Sequence, residues 1–219
     1  MENTRELHRL DSPFPKPQAL FVDGSTLWLS SRKTKKFYAV ERATVRVTWE
    51  IPVPDGDTVW GVTRHGGALY VVVGVDAPDV DARRVRRVVP GVGFDAAFVR
   101  PCPDGMGSHL SHDGAALVLS QWYPQKLIAL REDGAAGRVW STPHQVVGHC
   151  FVAGAFFLAT TTNEESDEYF LERLDPRSGG CETLARIGFS VRALAFDGAN
   201  FWTNHRERNQ IVCFAAPVR

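Results

Sequence analysis

In RALAFDGANFWTNH (192–205) two short apolar runs flank an Asp-Gly turn. The same arrangement occurs in QALFVDGSTLWLSS (18–31), WGVTRHGGALYVVV (60–73), SHLSHDGAALVLSQ (108–121) and GHCFVAGAFFLATT (148–161). Alternating apolar residues around a Gly-containing turn specify a β-hairpin. The turn glycines Gly24, Gly66, Gly114, Gly154 and Gly198 are spaced 40 to 48 residues apart. Three residues after each glycine stands Leu27, Leu69, Leu117, Phe157 or Phe201.

Each hairpin is followed by a third apolar run: KFYAVE, RVRRVVP, KLIALRED, YFLERLDP and QIVCFAAP. A fourth follows in four of the copies: VRVTWEIP, DAAFVRP, AGRVWSTP and CETLARI. The fifth copy lacks one, and ELHRLDSPF near the N-terminus supplies a segment of the same kind. Four strands at this period predict an all-β, five-bladed β-propeller whose last blade is closed by the N-terminal strand. The expected organisation is one domain over 1–219, with repeats near 18–56, 60–104, 108–144, 148–188 and 192–219 plus 5–14.

Composition narrows the partners. The 219 residues hold 25 Lys and Arg against 25 Asp and Glu, a formal net charge of zero, with 44% hydrophobic residues. Nucleic-acid and anionic-membrane surfaces need a basic excess, so neither is an expected partner. No apolar run reaches membrane-spanning length, and the charged start MENTRELHRLDSPFPKP lacks the apolar core of an export signal. With Cys102, Cys150, Cys181 and Cys213 scattered and no CxxC pair, the expectation is a cytoplasmic protein with reduced thiols. Nothing in the sequence reads out an oligomeric state.

Repeats such as ALFVDGSTLW, ALAFDGANFW and IVCF resemble those of small bacterial propellers of the virginiamycin B lyase, NHL-repeat, gluconolactonase and propeller glutaminyl cyclotransferase type. The resemblance extends over nearly the whole chain at the level of repeat pattern. It implies the propeller fold and leaves lyase, lactonase, cyclase and interaction-scaffold roles open. The acidic metal-ligand set expected of the gluconolactonase group is not present in this chain.

In a propeller the first strand of each blade lines the central channel. The loops entering it share a face with those joining strands two and three, and the hairpin turns lie on the other face. Six residues before the anchor glycines stand Gln18, Trp60, Ser108, Gly148 and Arg192; five before stand Ala19, Gly61, His109, His149 and Ala193. Two blades thus carry histidine where three carry Ala or Gly. His109 and His149 are therefore candidates for a general acid–base pair or, with His205, for ligands of a divalent metal. His144 is a further candidate ligand, and Asp57 or Glu164 a completing carboxylate. Arg192 is the candidate anion-holding or oxyanion-stabilising cation. Gln18, Trp60, Asp57, Thr58, Ser108, Gln121, Trp122 and Tyr123 are expected to shape a substrate pocket, with Asn163, Glu164, Glu165 and Arg206 on outer loops of the same face.

The run DVDARRVRRV (79–88) reads as exposed edge and loop, and NEESDEYF (163–170) as a solvated loop or rim. Cys150 beside His149 makes no dyad, because neighbours in a strand point to opposite faces. There is no GxSxG elbow, phosphate loop or HExxH. The expected function is acid–base lyase, cyclase or hydrolase chemistry, without an organic cofactor but with a divalent metal admitted, on a small molecule or peptide. The alternative is a non-catalytic ligand- or protein-binding module, since mouth residues that differ from blade to blade suit one asymmetric site. A structural scaffold is the third.

Overall fold

The computed structural model describes residues 1–77 and 82–216. Among them, β1 (Arg5–Asp11) precedes blade one, which is β2 (Pro17–Asp23), β3 (Thr26–Ser31), β4 (Lys36–Glu41) and β5 (Arg46–Pro52). Blade two is β6 (Thr58–His65), β7 (Ala68–Gly74), β8 (Arg84–Val89) and β9 (Gly93–Pro101). Blade three is β10 (His109–His112), β11 (Leu117–Gln121), β12 (Lys126–Leu130) and β13 (Ala136–Ser141). Blade four is β14 (Gln145–Val152), β15 (Ala155–Thr161), β16 (Tyr169–Leu174) and β17 (Cys181–Ile187). Blade five is β18 (Arg192–Phe196), β19 (Phe201–His205), β20 (Gln210–Ala215) and, as its fourth strand, β1. Every sheet is antiparallel, and the molecule is a five-bladed β-propeller. No helix among the described residues is long and apolar enough to cross a membrane.

Strand β1 pairs with β20 from Arg5↔Ala215 to Asp11↔Gln210. The residues before it reach blade four, where Arg186 N–H donates to the Glu2 carbonyl at 2.9 Å and Thr4 N–H to the Arg186 carbonyl at 2.8 Å. The N-terminal segment thereby closes blade five and ties it to blade four.

Between successive blades lie five apolar layers, one per interface. Leu20 and Ala193 belong to the layer between blades five and one, and Ala19 and Val62 to that between one and two. Leu110 packs between two and three, Phe156 between three and four, and Leu194 between four and five. Near the axis four of the five interfaces set a small residue of one first strand against a large residue of the next. The approach is tightest at the glycines. A Cβ on Gly61 would lie 2.6 Å from the His109 Cα and the Leu110 nitrogen, and one on Gly148 would lie 2.3 Å from the Leu194 nitrogen.

First strands bulge where they approach the axis, between Pro17 and Leu20, Val59 and Gly61, Val146 and Gly148, and Arg192 and Ala195. Bulges leave backbone groups without ladder partners, and polar side chains on the second strands take them up. Ser30 Oγ accepts the Ala19 N–H at 2.9 Å and donates to the Val59 carbonyl of the next blade at 2.7 Å. Asn204 Nδ2 donates to the Gln18 and Ala19 carbonyls at 3.1 and 3.2 Å, and Thr203 Oγ1 to the Ala193 carbonyl at 2.7 Å.

The run 79–88 departs from its expected exposure. Residues 79–81 lie outside the described residues, but 84–89 form β8, an inner strand with Val85 and Val88 buried.

Gly61→Ala or Gly148→Ala forces a methyl into backbone of the next blade, and overpacking of this kind costs about 1–3 kcal/mol. Urea unfolding of both variants is expected to show that loss. Unchanged midpoints would contradict the close first-strand packing.

Candidate functional site

The loops entering the first strands converge on a cavity of about 410 Å³ at one mouth of the channel. Gln18, Trp60, Ser108, Val147 and Arg192, one residue from each first strand or its approach, form its floor. The wall adds Arg32, Arg83 and Arg206, with Trp122, Tyr123 and Glu164 opposite. Four guanidinium groups thus border a space with a single carboxylate among its described lining residues.

Each cation is held in place. Arg192 Nη1 donates to the Tyr169 hydroxyl at 3.1 Å and to the Val191 carbonyl at 2.8 Å, both neutral acceptors. Among the described residues it has no carboxylate within ion-pair distance. Arg206 Nη1 donates to Gln18 Oε1 at 3.0 Å and its Nε to Glu207 Oε1 at 3.3 Å. Burial lowers the pKa of Arg206, and the charges of Arg192 and Arg32 lower it further. Arg32 is paired with Asp76. The guanidinium carbons of Arg83 and Arg32 sit 3.7 and 5.2 Å from the Trp60 ring centroid, a stacked cation–π arrangement. Trp60 Nε1 donates to the Gly74 carbonyl at 3.2 Å. Tyr123 Oη donates to Glu164 Oε1 at 2.7 Å across the wall. Crowded, partly desolvated cations around an open space lower the cost of admitting an anion.

Gln18, Trp60, Ser108, Trp122, Tyr123 and Arg192 therefore come together at this mouth. Asp57 and Gln121 do not line it. Asp57 is buried and accepts from Arg84 Nη2 at 2.9 Å, and buried Gln121 donates to the Pro103 carbonyl at 2.7 Å, pinning the loop that enters blade three. Thr58 accepts from Lys35 Nζ at 2.6 Å, and Asn163 Oδ1 caps the Glu165 N–H at 2.9 Å. His144 Nδ1 lies 2.7 Å from Oε1 of fully buried Glu172.

The two axial histidines lie elsewhere than at the mouth, and they are not register equivalents. In blades one and two the anchor glycine is the first residue of a two-residue turn, with Asp23↔Thr26 and His65↔Ala68 paired around it. In blade four the pair is Val152↔Ala155, so Gly154 is the second turn residue and Ala153, at φ 48°, takes the first. The true counterparts in blade four are Val147 for the outer row and Gly148 for the small-residue row. His149 instead corresponds to Leu20, Val62, Leu110 and Leu194. It faces back toward blade three while His109 faces forward, so both rings enter the same interface, with centroids 5.1 Å apart and edge to face. Where other interfaces set a small residue against an aliphatic one, this interface sets imidazole against imidazole.

Both rings are 1% exposed and border a second cavity of about 350 Å³ on the hairpin face. Ser111 Oγ lies 2.9 Å from His149 Nδ1, and the His149 backbone N–H donates to His109 Nδ1 at 3.4 Å. Burial drives the His109 pKa well below its ordinary value, with the His149 charge adding to the effect, and burial takes His149 down to about 4. Both imidazoles are neutral near pH 7. His205, near Arg9 and 3.8 Å from Glu207, lines a third cavity. The expected metal set His109, His149 and His205 is thus not gathered. Among the described residues no group of three or more His, Cys, Asp or Glu is arranged to hold a metal ion.

Arg32 and Arg83 were not among the sequence candidates. Arg32 follows Ser31 at the position where blade three has Trp122 and blade five Arg206, so its place in the repeat was a usable signal. Arg83 belongs to the run 79–88, which reads as exposed loop, yet its N–H donates to the Gly105 carbonyl at 2.8 Å and its guanidinium lies over Trp60.

No protein-family model matches the chain, and no curated protein matches it. Among solved structures it is similar to Myxococcus xanthus glutaminyl cyclase, with a TM-score of 0.75 at 11% identity over 99% of this chain and 98% of that one. It is also similar to regucalcin, a calcium-binding protein of Agrobacterium tumefaciens, with a TM-score of 0.60 at 12% identity over 99% and 96% of the two chains. For a streptogramin B lyase the TM-score is 0.55 at 12% identity over 98% of each chain. These likenesses establish the shared propeller fold.

The buried histidines set the acid limit of stability. The unfolded chain takes up their protons as pH falls through about 6.5, while the folded His149 stays neutral down to about 4. The folded state therefore loses about 3 kcal/mol at this residue across that window, and nothing above it. Urea unfolding of His149→Leu, which installs the side chain of Leu20, Leu110 and Leu194, is expected to show a shallower decline from pH 6.5 to 4. A slope identical to that of the unsubstituted chain would contradict a buried neutral His149.

Proposed function

We propose that this propeller binds a small anionic molecule with a planar apolar part at the mouth formed by the entering loops. The observation that carries this is Arg192: a guanidinium on the cavity floor, aimed by Tyr169 and Val191 and left without a carboxylate partner among the described residues. Arg206 and Arg32 add charge beside it, and Trp60 and Trp122 offer flat faces for the rest of the ligand. A volume of about 410 Å³ suits a small molecule or the end of a peptide. The non-repeating floor, Gln18, Trp60, Ser108, Val147 and Arg192, favours one asymmetric site over five lectin-like ones.

Lyase, cyclase or hydrolase chemistry at this mouth is a second reading. It is supported by the full-length fold likeness to a glutaminyl cyclase and a streptogramin B lyase. In that case Glu164, bonded to the Tyr123 hydroxyl and the one carboxylate among the described lining residues of the mouth, is the acid–base group, and Arg192 stabilises developing negative charge. His109 and His149, buried and neutral on the hairpin side, would act there only on a substrate that reaches the second cavity.

Binding to the folded state raises the melting temperature by mass action. Inorganic phosphate and citrate, tested separately by thermal shift, are expected to stabilise the protein, with the shift falling as salt is added. Arg192→Ala is expected to weaken either interaction by about tenfold, the usual scale for a charge-assisted hydrogen bond. Shifts that persist undiminished in both Arg192→Ala and Arg206→Ala would place anion binding elsewhere. For the catalytic alternative, turnover surviving His109→Ala and His149→Ala but lost in Glu164→Gln would assign the chemistry to the mouth.

A further inference from the structure

We propose that the cleft between blades two and three, on the hairpin face, is a second binding site whose ligand is a small aromatic carboxylate. It is separate from the mouth and does not depend on what binds there. The cleft encloses about 440 Å³. The hairpins of neighbouring blades bring His65, at the end of β6, and His112, at the end of β10, face to face, with ring centroids 3.9 Å apart and planes 13° from parallel. Tyr70 and Phe98 extend this wall as an edge-to-face pair at 5.3 Å. Apolar Val85, Leu117 and Leu130 line the interior, Val85 and Leu130 from the layer between the two blades.

The rim is cationic. Arg100 donates only to backbone carbonyls, from Nε to Glu132 at 3.3 Å and from Nη1 to Val99 at 3.1 Å, and its guanidinium carbon lies 4.9 Å from the Phe98 ring centroid. Arg131, beside the Glu132 whose carbonyl Arg100 bonds, is exposed at the rim, its backbone fixed by the turn bond from its N–H to the Ala135 carbonyl at 2.9 Å. Neither arginine has a carboxylate within ion-pair distance among the described residues, and the one acid lining the cleft, Glu132, is exposed. Apolar interior, aromatic wall and two uncompensated guanidinium groups match a flat hydrocarbon ring bearing one carboxylate. The ring stacks inside and the carboxylate meets a guanidinium fork at the rim.

The probe is 2-naphthoate, titrated by calorimetry and mapped by amide NMR shifts, with neutral 2-naphthylmethanol as its uncharged counterpart. The expected result is shifts clustered at Tyr70, His112, Leu117 and Arg131, with the alcohol bound about tenfold more weakly. Arg131→Ala, at an exposed position, and Arg100→Gln are each expected to weaken several-fold the 2-naphthoate binding read from the Tyr70 and Leu117 shifts, while Arg192→Ala, which removes a mouth residue, alters only shifts at the mouth. Shifts confined to the mouth, equal binding of acid and alcohol, or no binding at millimolar concentration would each overturn the proposal. Should Arg100→Gln fail to fold, Arg131→Ala and the acid–alcohol comparison decide it.

Discussion

The structure depends on how closely the five first strands approach one another around the axis. With backbone of one blade so near the next that Gly61 and Gly148 leave no room for a methyl, each interface admits one small and one large side chain. That steric rule sets the identity of eight positions at four of the five interfaces, where backbone and side chain meet in one repeated geometry. Bulges in the first strands follow from the same crowding. The polar residues Ser30, Thr203 and Asn204 on second strands answer the backbone groups those bulges release, and Ser120 takes the His109 N–H in blade three.

One interface breaks the rule, and the break is chemically informative. His109 and His149 replace a small–large pair with two imidazoles, kept neutral by burial, the His149 ring bonded to Ser111 and the His109 ring to the His149 backbone N–H. An interface of this kind tolerates neutral pH and resists protonation, so it links fold stability to acidity. The cations take the other end of the channel, where loops have room to carry long side chains. The axial imidazoles thus border a cavity on the hairpin side, and Arg32, Arg83, Arg192 and Arg206 border the mouth on the entering side.

The repeat made the fold legible. Glycine-centred hairpins and a third strand in all five copies, with a fourth strand in four, specified five blades because those signals are local and recur, and the N-terminal segment of the same kind specified the closure by β1. The mouth was partly legible, through Gln18, Trp60, Ser108 and Arg192, since position in the repeat fixes distance from the axis. The register of blade four was not. Alignment on Gly154 assumed that every turn glycine occupies the same turn position, but Ala153 adopts the left-handed conformation in its place, and a shift of one residue reverses which way a strand side chain faces. Arg83 was hidden for a different reason: it sits over Trp60 with its backbone bonded to Cys102 and Gly105 of the loop entering blade three, a pairing between segments distant in sequence.

A crystal structure of the protein soaked with phosphate tests the central claim most directly. Tetrahedral density between the guanidinium groups of Arg192 and Arg206, beside Trp60, is the result the account predicts. Density beside His109 and His149 in the hairpin-side cavity, with the mouth arginines unengaged, would contradict it.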